Sequence, residues 1–168
     1  YDIDNSLRFN DDDSAYLSWT PSSAGNRKTW TWSGWVKRGN ISTHRFLFST
    51  GDSAGTNDAS VYLTSSDFIK LEDRTGISVA SARVLRDSSS WYHIVVALDT
   101  TQGTDSDRVK LYVNGEIITS FDSTPSYPTQ NSDININNTT EHYSGRRSDG
   151  YYFDGYLAEV NFVDGQAL

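Results

Sequence analysis

Cysteine and methionine are both missing from this sequence of 168 residues. Without cysteine the chain has no disulfide, no zinc–thiolate site and no thiol nucleophile. Because position 1 is not methionine, we expect the chain to be a module of a longer or processed protein. No apolar run approaches the roughly 18 residues that a membrane helix requires, so we expect no membrane insertion.

Basic residues are outnumbered. Lysine and arginine number 14 against 22 aspartate and glutamate residues, which gives a formal net charge of -8. A nucleic-acid binder needs a basic face for the phosphate backbone, so we expect no nucleic-acid partner. An acidic surface instead supplies oxygen ligands for hard cations such as Ca²⁺.

Helical periodicity is also lacking, whereas period-two alternation recurs between clusters of Gly, Asn, Asp and Ser. This pattern predicts an all-β chain, folded as a sandwich or jelly roll of two antiparallel sheets, with residues 1–168 forming a single domain. The predicted strands lie near residues 6–9, 15–19, 29–37, 45–50, 59–64, 67–73, 76–85, 90–99, 107–113, 116–121, 133–137 and 151–163.

The segment "RVKLYVNGEIITSF" is the clearest local signal. Apolar residues alternate up to Val113, and a return strand begins at Ile117. Asn114 and Gly115 between them favour a two-residue turn, because both residues adopt positive φ at low cost. The segment therefore predicts a β-hairpin.

Three tryptophans stand close together in "TWTWSGWVKRG". On a strand Trp30 and Trp32 share an apolar face, which predicts that both lie in the core. Trp35 lies on the opposite, mixed face, where it is either half-covered or exposed. In "WYHIVVALD" the stripe that begins at Tyr92 and ends at Leu98 is likewise predicted to face the core.

Several motifs occur in an order that resembles the laminin G-like and pentraxin branch of the concanavalin A-like jelly rolls. They are "SLRFNDDDSAYLSW", "TWTWSGWVKR", "RFLFSTG", "WYHIVVALD", "VKLYVNGE" and "YYFDGYLAEVNFVDGQAL". The resemblance covers essentially the whole chain and implies the same sandwich fold. The first and last motifs are also similar to modules of bacteriophage structural and tail proteins, which implies a virion-surface or extracellular location.

Catalytic signatures are not found. Some jelly rolls of this superfamily cleave β-glucans with two facing carboxylates, but their Glu-x-Asp-x-x-Glu motif is absent and the chain has only four glutamates. The three histidines are isolated in sequence and lack metal-site spacing. We therefore expect no enzymatic activity.

Calcium is a possible cofactor. Pentraxin-like relatives place acidic and amide ligands in two loops, and the resemblance implies Asp52, Asn57 and Asp58 in the first loop and Glu141 in the second. The alternative is that Asn, Asp and Gly serve here only as turn formers.

Glycan binding usually combines an exposed aromatic ring with polar side chains on a shallow surface. Loop residues of these types concentrate late in the chain, and Tyr151 and Tyr152 cannot both point inward on one strand. The alternative for each tyrosine is packing at a sheet edge. The candidate glycan-binding residues are Tyr127, Tyr143, Tyr151, Tyr152, Asn138 and Arg146.

Two functions follow from these residues and the resemblance. The first is a non-catalytic carbohydrate-binding or adhesion module, with calcium as its candidate cofactor, whose partner is a cell-surface glycan. The second is a purely structural virion module (a decoration, knob or fibre domain) that packs against other assembly proteins or forms a homo-oligomer. Outward aromatics over a polar rim serve either function.

Overall fold

A computed structural model of the chain describes residues 3–52 and 55–168. It confirms the predicted all-β class. Within these described residues, the regular elements are strands apart from one 3-10 turn at Asp105–Asp107. They are β1 (Leu7–Phe9), β2 (Leu17–Trp19), β3 (Thr29–Arg38), β4 (Arg45–Thr50), β5 (Ala59–Leu63), β6 (Phe68–Asp73), β7 (Ile77–Val84), β8 (Tyr92–Asp99), β9 (Val109–Val113), β10 (Glu116–Ile117), β11 (His142–Ser144) and β12 (Gly155–Asp164).

The strands form two six-stranded antiparallel sheets. Sheet A has the order β1-β12-β3-β8-β9-β10, and sheet B has the order β2-β11-β4-β5-β6-β7. The two sheets enclose one hydrophobic core, as a β-sandwich requires. Among the described residues no helix has the length and apolar character needed to cross a membrane.

The core contains both tryptophans that the alternation places there. Trp30 and Trp32 are each 0 % exposed, and Trp30 lies 5.6 Å from the ring of Phe162. The stripe from Tyr92 to Leu98 is buried as predicted. Trp35, on the outer face of β3, is half-buried, with its ring centroid 4.9 Å from that of His93.

The predicted hairpin is confirmed, but its second strand is shorter than expected. Asn114 and Gly115 have positive φ, and Glu116 pairs with Val113. Strand β10 ends at Ile117 instead of residue 121 because the chain then crosses to sheet B, where Phe121 forms a bridge with Ser81.

The predicted strand at residues 133–137 is wrong. Ile134 and Ile136 are fully buried, which explains the alternation, yet the segment pairs with no strand. Two of its backbone donors are satisfied by side chains: the Asn135 N–H donates to Asp73 at 2.8 Å, and the Asn137 N–H to His142 Nε2 at 2.9 Å. The Ile134 N–H donates to the Arg27 carbonyl at 3.2 Å. Alternation reports burial, and here burial occurs without a hydrogen-bond ladder.

Two further differences concern the end of the chain. Strand β11, which inserts between β2 and β4, is not predicted because three residues are too few to show a period. The last strand begins at Gly155 instead of residue 151, since residues 145–152 form a loop over the outer face of sheet B.

Candidate functional site

The outer face of sheet B carries the candidate site. Phe46 on β4 and Tyr62 on β5 are cross-strand partners that point away from the core, and their rings stack at 4.7 Å. On the neighbouring strand β6, Glu72 accepts a hydrogen bond from the Tyr62 hydroxyl at 2.8 Å. These residues give this face an aromatic and polar floor.

A loop of residues 145–152, called here the Arg loop, lies over this floor. It begins at Gly145, whose φ of +86° and close approach to the ring of Phe9 leave no room for a side chain. The loop folds back on itself, because the Arg147 N–H donates to the Tyr151 carbonyl at 3.0 Å. Ser49 of β4 attaches it to the sheet by donating to the Arg146 carbonyl at 2.7 Å.

Arg146 holds the Arg loop from within a cage of three tyrosines. Its guanidinium carbon lies 4.5 Å from the ring centroid of Tyr16, 4.8 Å from that of Tyr143 and 5.4 Å from that of Tyr152. Its Nε and Nη2 atoms donate to the carbonyls of Arg147 and Ser148, both at 2.8 Å. The cation–π contacts and these two bonds fix the backbone that carries Arg147 and Asp149.

Arg147 points to the other side of the loop, over the sheet. Its guanidinium lies 5.7 Å from the ring of Phe46, 3.3 Å from an oxygen of Asp58 and 3.5 Å from an oxygen of Asp149. The side chain remains 30 % exposed. It is therefore held in one orientation while still reachable from solvent.

Three surface depressions meet at Arg147, and together they are called here the Arg147 groove. Their volumes are about 460, 410 and 270 Å³. Tyr151, which is 51 % exposed, forms one end of the groove. The other lining residues are mostly polar: Asp52, Asp58, Ser60, Glu72, Asp73, Arg74, Ser78, Ser148 and Asp149, with His44, Phe46 and Tyr62 at the Tyr151 end.

Burial and hydrogen bonds shift the pKa of Glu72, Tyr62 and Tyr143 on the outer face of sheet B. Burial alone would raise the pKa of Glu72, but hydrogen bonds from Lys70 and Tyr62 outweigh it and hold the pKa below its ordinary value. Burial and the bond to Glu72 raise the pKa of Tyr62. In the tyrosine cage, burial and Glu141 raise the pKa of Tyr143 to about 12.

The predicted calcium ligands divide between two places. Asp52, Asn57 and Asp58 lie in one loop, where Asp52 accepts from Asn57 at 2.6 Å and Asp58 faces Arg147. The Glu141 carboxylate instead accepts from the Tyr143 hydroxyl at 2.8 Å. Within residues 3–52 and 55–168, no three His, Asp or Glu side chains converge as metal ligands would. Calcium ligation stays a prediction.

The predicted glycan-binding residues also divide. Arg146, Tyr143 and Tyr152 come together in the cage, and Tyr151 lines the groove. Asn138 is buried, and its Oδ1 accepts from the Thr140 hydroxyl at 2.8 Å. Tyr127 packs against the hydrophobic core, and burial followed by the charge of Asp105 raises its pKa.

Sequence reasoning missed several residues of the site. Glu72 reads in sequence as part of a solvated charged face, because its partner Tyr62 lies on another strand. Tyr16 gives no signal, since its contact with Arg146 joins residues 130 positions apart in sequence. A usable sequence signal is the apolar runs Phe46–Phe48 in β4 and Val61–Leu63 in β5, because a strand that is apolar on both faces must be covered on both. Both strands are almost entirely buried.

A laminin G family model, described as the concanavalin A-like lectin/glucanases superfamily, matches residues 11–168. The chain belongs to this superfamily. The resemblance of the motifs to laminin G-like jelly rolls is thereby confirmed. No curated protein matches the chain in sequence.

Several solved structures share the fold at low sequence identity. The laminin G-like domains LG4-5 of the mouse laminin α1 chain match with a TM-score of 0.65 and 11 % identity over 95 % of this chain, which spans 41 % of that fragment. The CBM40 of the Ruminococcus gnavus IT-sialidase matches with a TM-score of 0.61 and 17 % identity, over 92 % of this chain and 94 % of that one.

The heptameric SAP-like pentraxin of Limulus polyphemus also matches, with a TM-score of 0.56 and 14 % identity, over 88 % of this chain and 68 % of that one. Identities this low establish a common fold. They do not carry binding residues from one chain to another.

Proposed function

We propose that this chain is a non-catalytic carbohydrate-binding module whose ligand lies in the Arg147 groove. One observation carries the proposal: the Arg loop places an oriented, partly exposed guanidinium and an exposed tyrosine ring side by side over a polar sheet. A sugar ring offers an apolar C–H face and a rim of hydroxyls, and such a surface matches both features.

Each part of the groove has a distinct role in this proposal. The Tyr151 ring stacks against the apolar face of a sugar. Arg147 donates to hydroxyl or ring oxygens, and the carboxylates of Asp58 and Glu72 accept from hydroxyls. Because Arg147 and Glu72 already have partners that hold them in place, little side-chain entropy is lost on binding.

Among the fold relatives, the Ruminococcus gnavus CBM40 has been solved with α2,3 sialyllactose bound. That domain binds a carbohydrate, which is the class of activity that we propose for this chain. The match covers 90 % of both chains, at 14 % identity, so it supports the class of ligand and not the identity of the sugar.

The environment of Glu72 favours binding over hydrolysis. A glycosidase needs one carboxyl group kept protonated by a raised pKa, opposite a second carboxylate. Glu72 has the opposite shift, because Lys70 and Tyr62 stabilise its ionised form. Asp58 is ion-paired with Arg147.

Location and calcium are further parts of the proposal. A glycan-binding module acts on surfaces, so we propose an extracellular setting; the virion surface stays a prediction from the resemblance. Calcium is proposed only as an assisting ion, with the ligands that the resemblance implies in the loop of Asp52, Asn57 and Asp58. Adding a chelator to the binding experiment below tests it.

The test is a glycan array followed by titration calorimetry on the best binder, with and without a chelator. We expect Tyr151→Ala to weaken binding roughly tenfold, equivalent to about 1.4 kcal/mol. The melting temperature should not change, because the ring is half-exposed. Arg147→Ala should abolish detectable binding.

The matched control is Tyr156→Ala, which removes an exposed tyrosine from β12 in sheet A. Its affinity should equal that of the wild type. Equal losses of glycan affinity in Tyr151→Ala and Tyr156→Ala would reject the groove as a glycan site. An array on which no glycan binds would reject it as well.

A second function, packing between protein chains, is favoured by a different observation. The edge strands β1 and β2 lie side by side and expose Leu7 and Leu17, which are 48 % and 53 % exposed, next to the exposed Val160. If this side joins copies of the chain, analytical ultracentrifugation should detect an oligomer that Leu7→Lys/Leu17→Lys dissociates. A wild-type monomer at high concentration would reject self-association.

A further inference from the structure

The lining of the Arg147 groove is dominated by carboxylates. Four acidic side chains line it: Asp52, Asp58, Glu72 and Asp149. Asp73 also borders it, but its carboxylate is buried and accepts from Asn135. Two guanidinium groups, those of Arg74 and Arg147, are the cations of the lining. Lys70 lies behind Glu72 and neutralises part of its charge at 2.9 Å. The acids still exceed the bases.

The groove's central cation is already neutralised. Arg147 faces Asp58 at 3.3 Å on one side and Asp149 at 3.5 Å on the other. A ligand carboxylate that approached this guanidinium would come within a few ångströms of two like charges. Such an approach costs free energy, because the groove is only partly solvated.

Carboxylates are, by contrast, good partners for uncharged sugars. A carboxylate is an acceptor with two oxygens, and adjacent hydroxyls on a sugar ring are donors at a matching separation. Hydrogen bonds to a charged acceptor are stronger than those to a neutral one. Arg147 supplies the complementary donors, and Tyr151 stacks on the ring without regard to charge.

We infer that the groove selects neutral glycans and discriminates against sugars that carry a carboxylate. This inference rests on the proposed function and deepens it by naming the ligand class. It also separates this chain from the CBM40 with the same fold, which has been solved with a sialylated sugar.

The experiment uses pairs of probes that differ in charge. Lactose is compared with α2,3 sialyllactose, and trigalacturonate with its methyl ester, by calorimetry at low salt with a chelator present. A parallel array of neutral and acidic glycans identifies any neutral glycan that binds more tightly than these probes. We expect the neutral member of a bound pair to bind about tenfold more tightly, with the ratio shrinking as salt is raised.

Substitutions test whether the groove causes the preference. Asp58→Asn/Asp149→Asn keeps side-chain size and removes two negative charges, so it should bring the neutral and acidic affinities close together. Asp12→Asn/Asp122→Asn makes the same change in net charge at exposed positions outside the groove lining and should leave the ratio unchanged.

The outcomes distinguish the two proposals. If no probe and no array glycan binds, the proposed function fails. If the acidic member of a pair binds more tightly than its neutral partner, and Arg74→Ala or Arg147→Ala removes this tighter binding, glycan binding stands and the neutral selectivity is overturned. Equal shifts in both double variants would overturn it as well, because net charge alone would then set the ratio.

Discussion

The protein has two aromatic clusters, one on each side of sheet B, and they are built on different principles. The inner cluster centres on Trp30 and Trp32, whose indole nitrogens are buried and find no acceptor among the described residues. Those rings are held by packing alone. The outer cluster consists of tyrosines whose hydroxyls and faces are engaged by charged groups: Tyr62 with Glu72, Tyr143 with Glu141, and the three-ring cage with Arg146.

This difference shows what separates a core from a binding surface in a sandwich. A buried indole N–H without a hydrogen-bond partner costs free energy, and dense apolar packing around the rest of the ring must offset that cost. A phenol paired with a carboxylate tolerates water and offers directional contacts. The inner cluster therefore sets stability, and the outer cluster sets the shape and charge of the groove.

The largest expected effect is on the inner cluster. Trp32→Ala removes a fully buried ring and should lower the free energy of unfolding by about 3–5 kcal/mol, measured by chemical denaturation. The matched control is Trp35→Ala on the same strand, where the half-buried ring should cost roughly 1 kcal/mol. Equal losses at the two positions would mean that burial does not distinguish the two faces of β3.

Arg146 connects the outer cluster to the groove. Its removal deletes three cation–π contacts and two hydrogen bonds to the loop backbone, so Arg146→Ala should cost about 2 kcal/mol of stability. Glycan affinity should fall as well, although Arg146 touches no ligand in our proposal, because Arg147 and Asp149 lose their orientation.

The control for that prediction is Arg146→Lys. Lysine keeps the charge within the cage but cannot donate two directed N–H bonds to the carbonyls of Arg147 and Ser148. It should therefore recover part of the stability and little of the affinity. Full recovery of binding by lysine would show that charge, and not the fork of hydrogen bonds, shapes the loop.

The inner cluster could be predicted from sequence, and the outer one could not. Trp30 and Trp32 are two positions apart on one strand, so period two alone assigns them to the same buried face. Residues in contact across the outer face are far apart in sequence: Tyr16 meets Arg146, and Asp58 meets Arg147. Such contacts depend on how strands are ordered in the sheet, which a local pattern does not encode.

The same limit explains the errors in strand assignment. Ile134 and Ile136 alternate because both side chains enter the core, but their segment is held by Asp73 and His142 instead of a neighbouring strand. Strand β11 lies in the interior of sheet B although its sequence, His142 to Ser144, is polar. The hydrophobic pattern of a segment indicates which of its side chains are buried. It does not indicate which strand, if any, the segment's backbone pairs with.

The smallest expected effect concerns pH and should separate the two clusters directly. Hydrogen bonds from Tyr143 and Ser18 lower the pKa of Glu141, and those from Lys70 and Tyr62 outweigh burial to lower the pKa of Glu72. A carboxylate whose pKa is lower in the folded than in the unfolded state stabilises the fold above about pH 4.3, the unfolded value, and this stabilisation is lost as the pH falls through the folded-state pKa. Both groups are half-exposed or more, so we expect only a few tenths of a kcal/mol from each.

Acidification should accordingly change the NMR signals of the Tyr62 and Tyr143 rings before the tryptophan fluorescence of the inner cluster responds. In the double variant Tyr62→Phe/Tyr143→Phe each carboxylate loses its tyrosine donor and keeps the other, Lys70 or Ser18, so the remaining outer rings should show a weaker response to acid. If tyrosine and tryptophan signals instead change together at one midpoint in both proteins, the two clusters unfold as a single unit, and the outer face lacks the independence that a separately tuned binding surface requires.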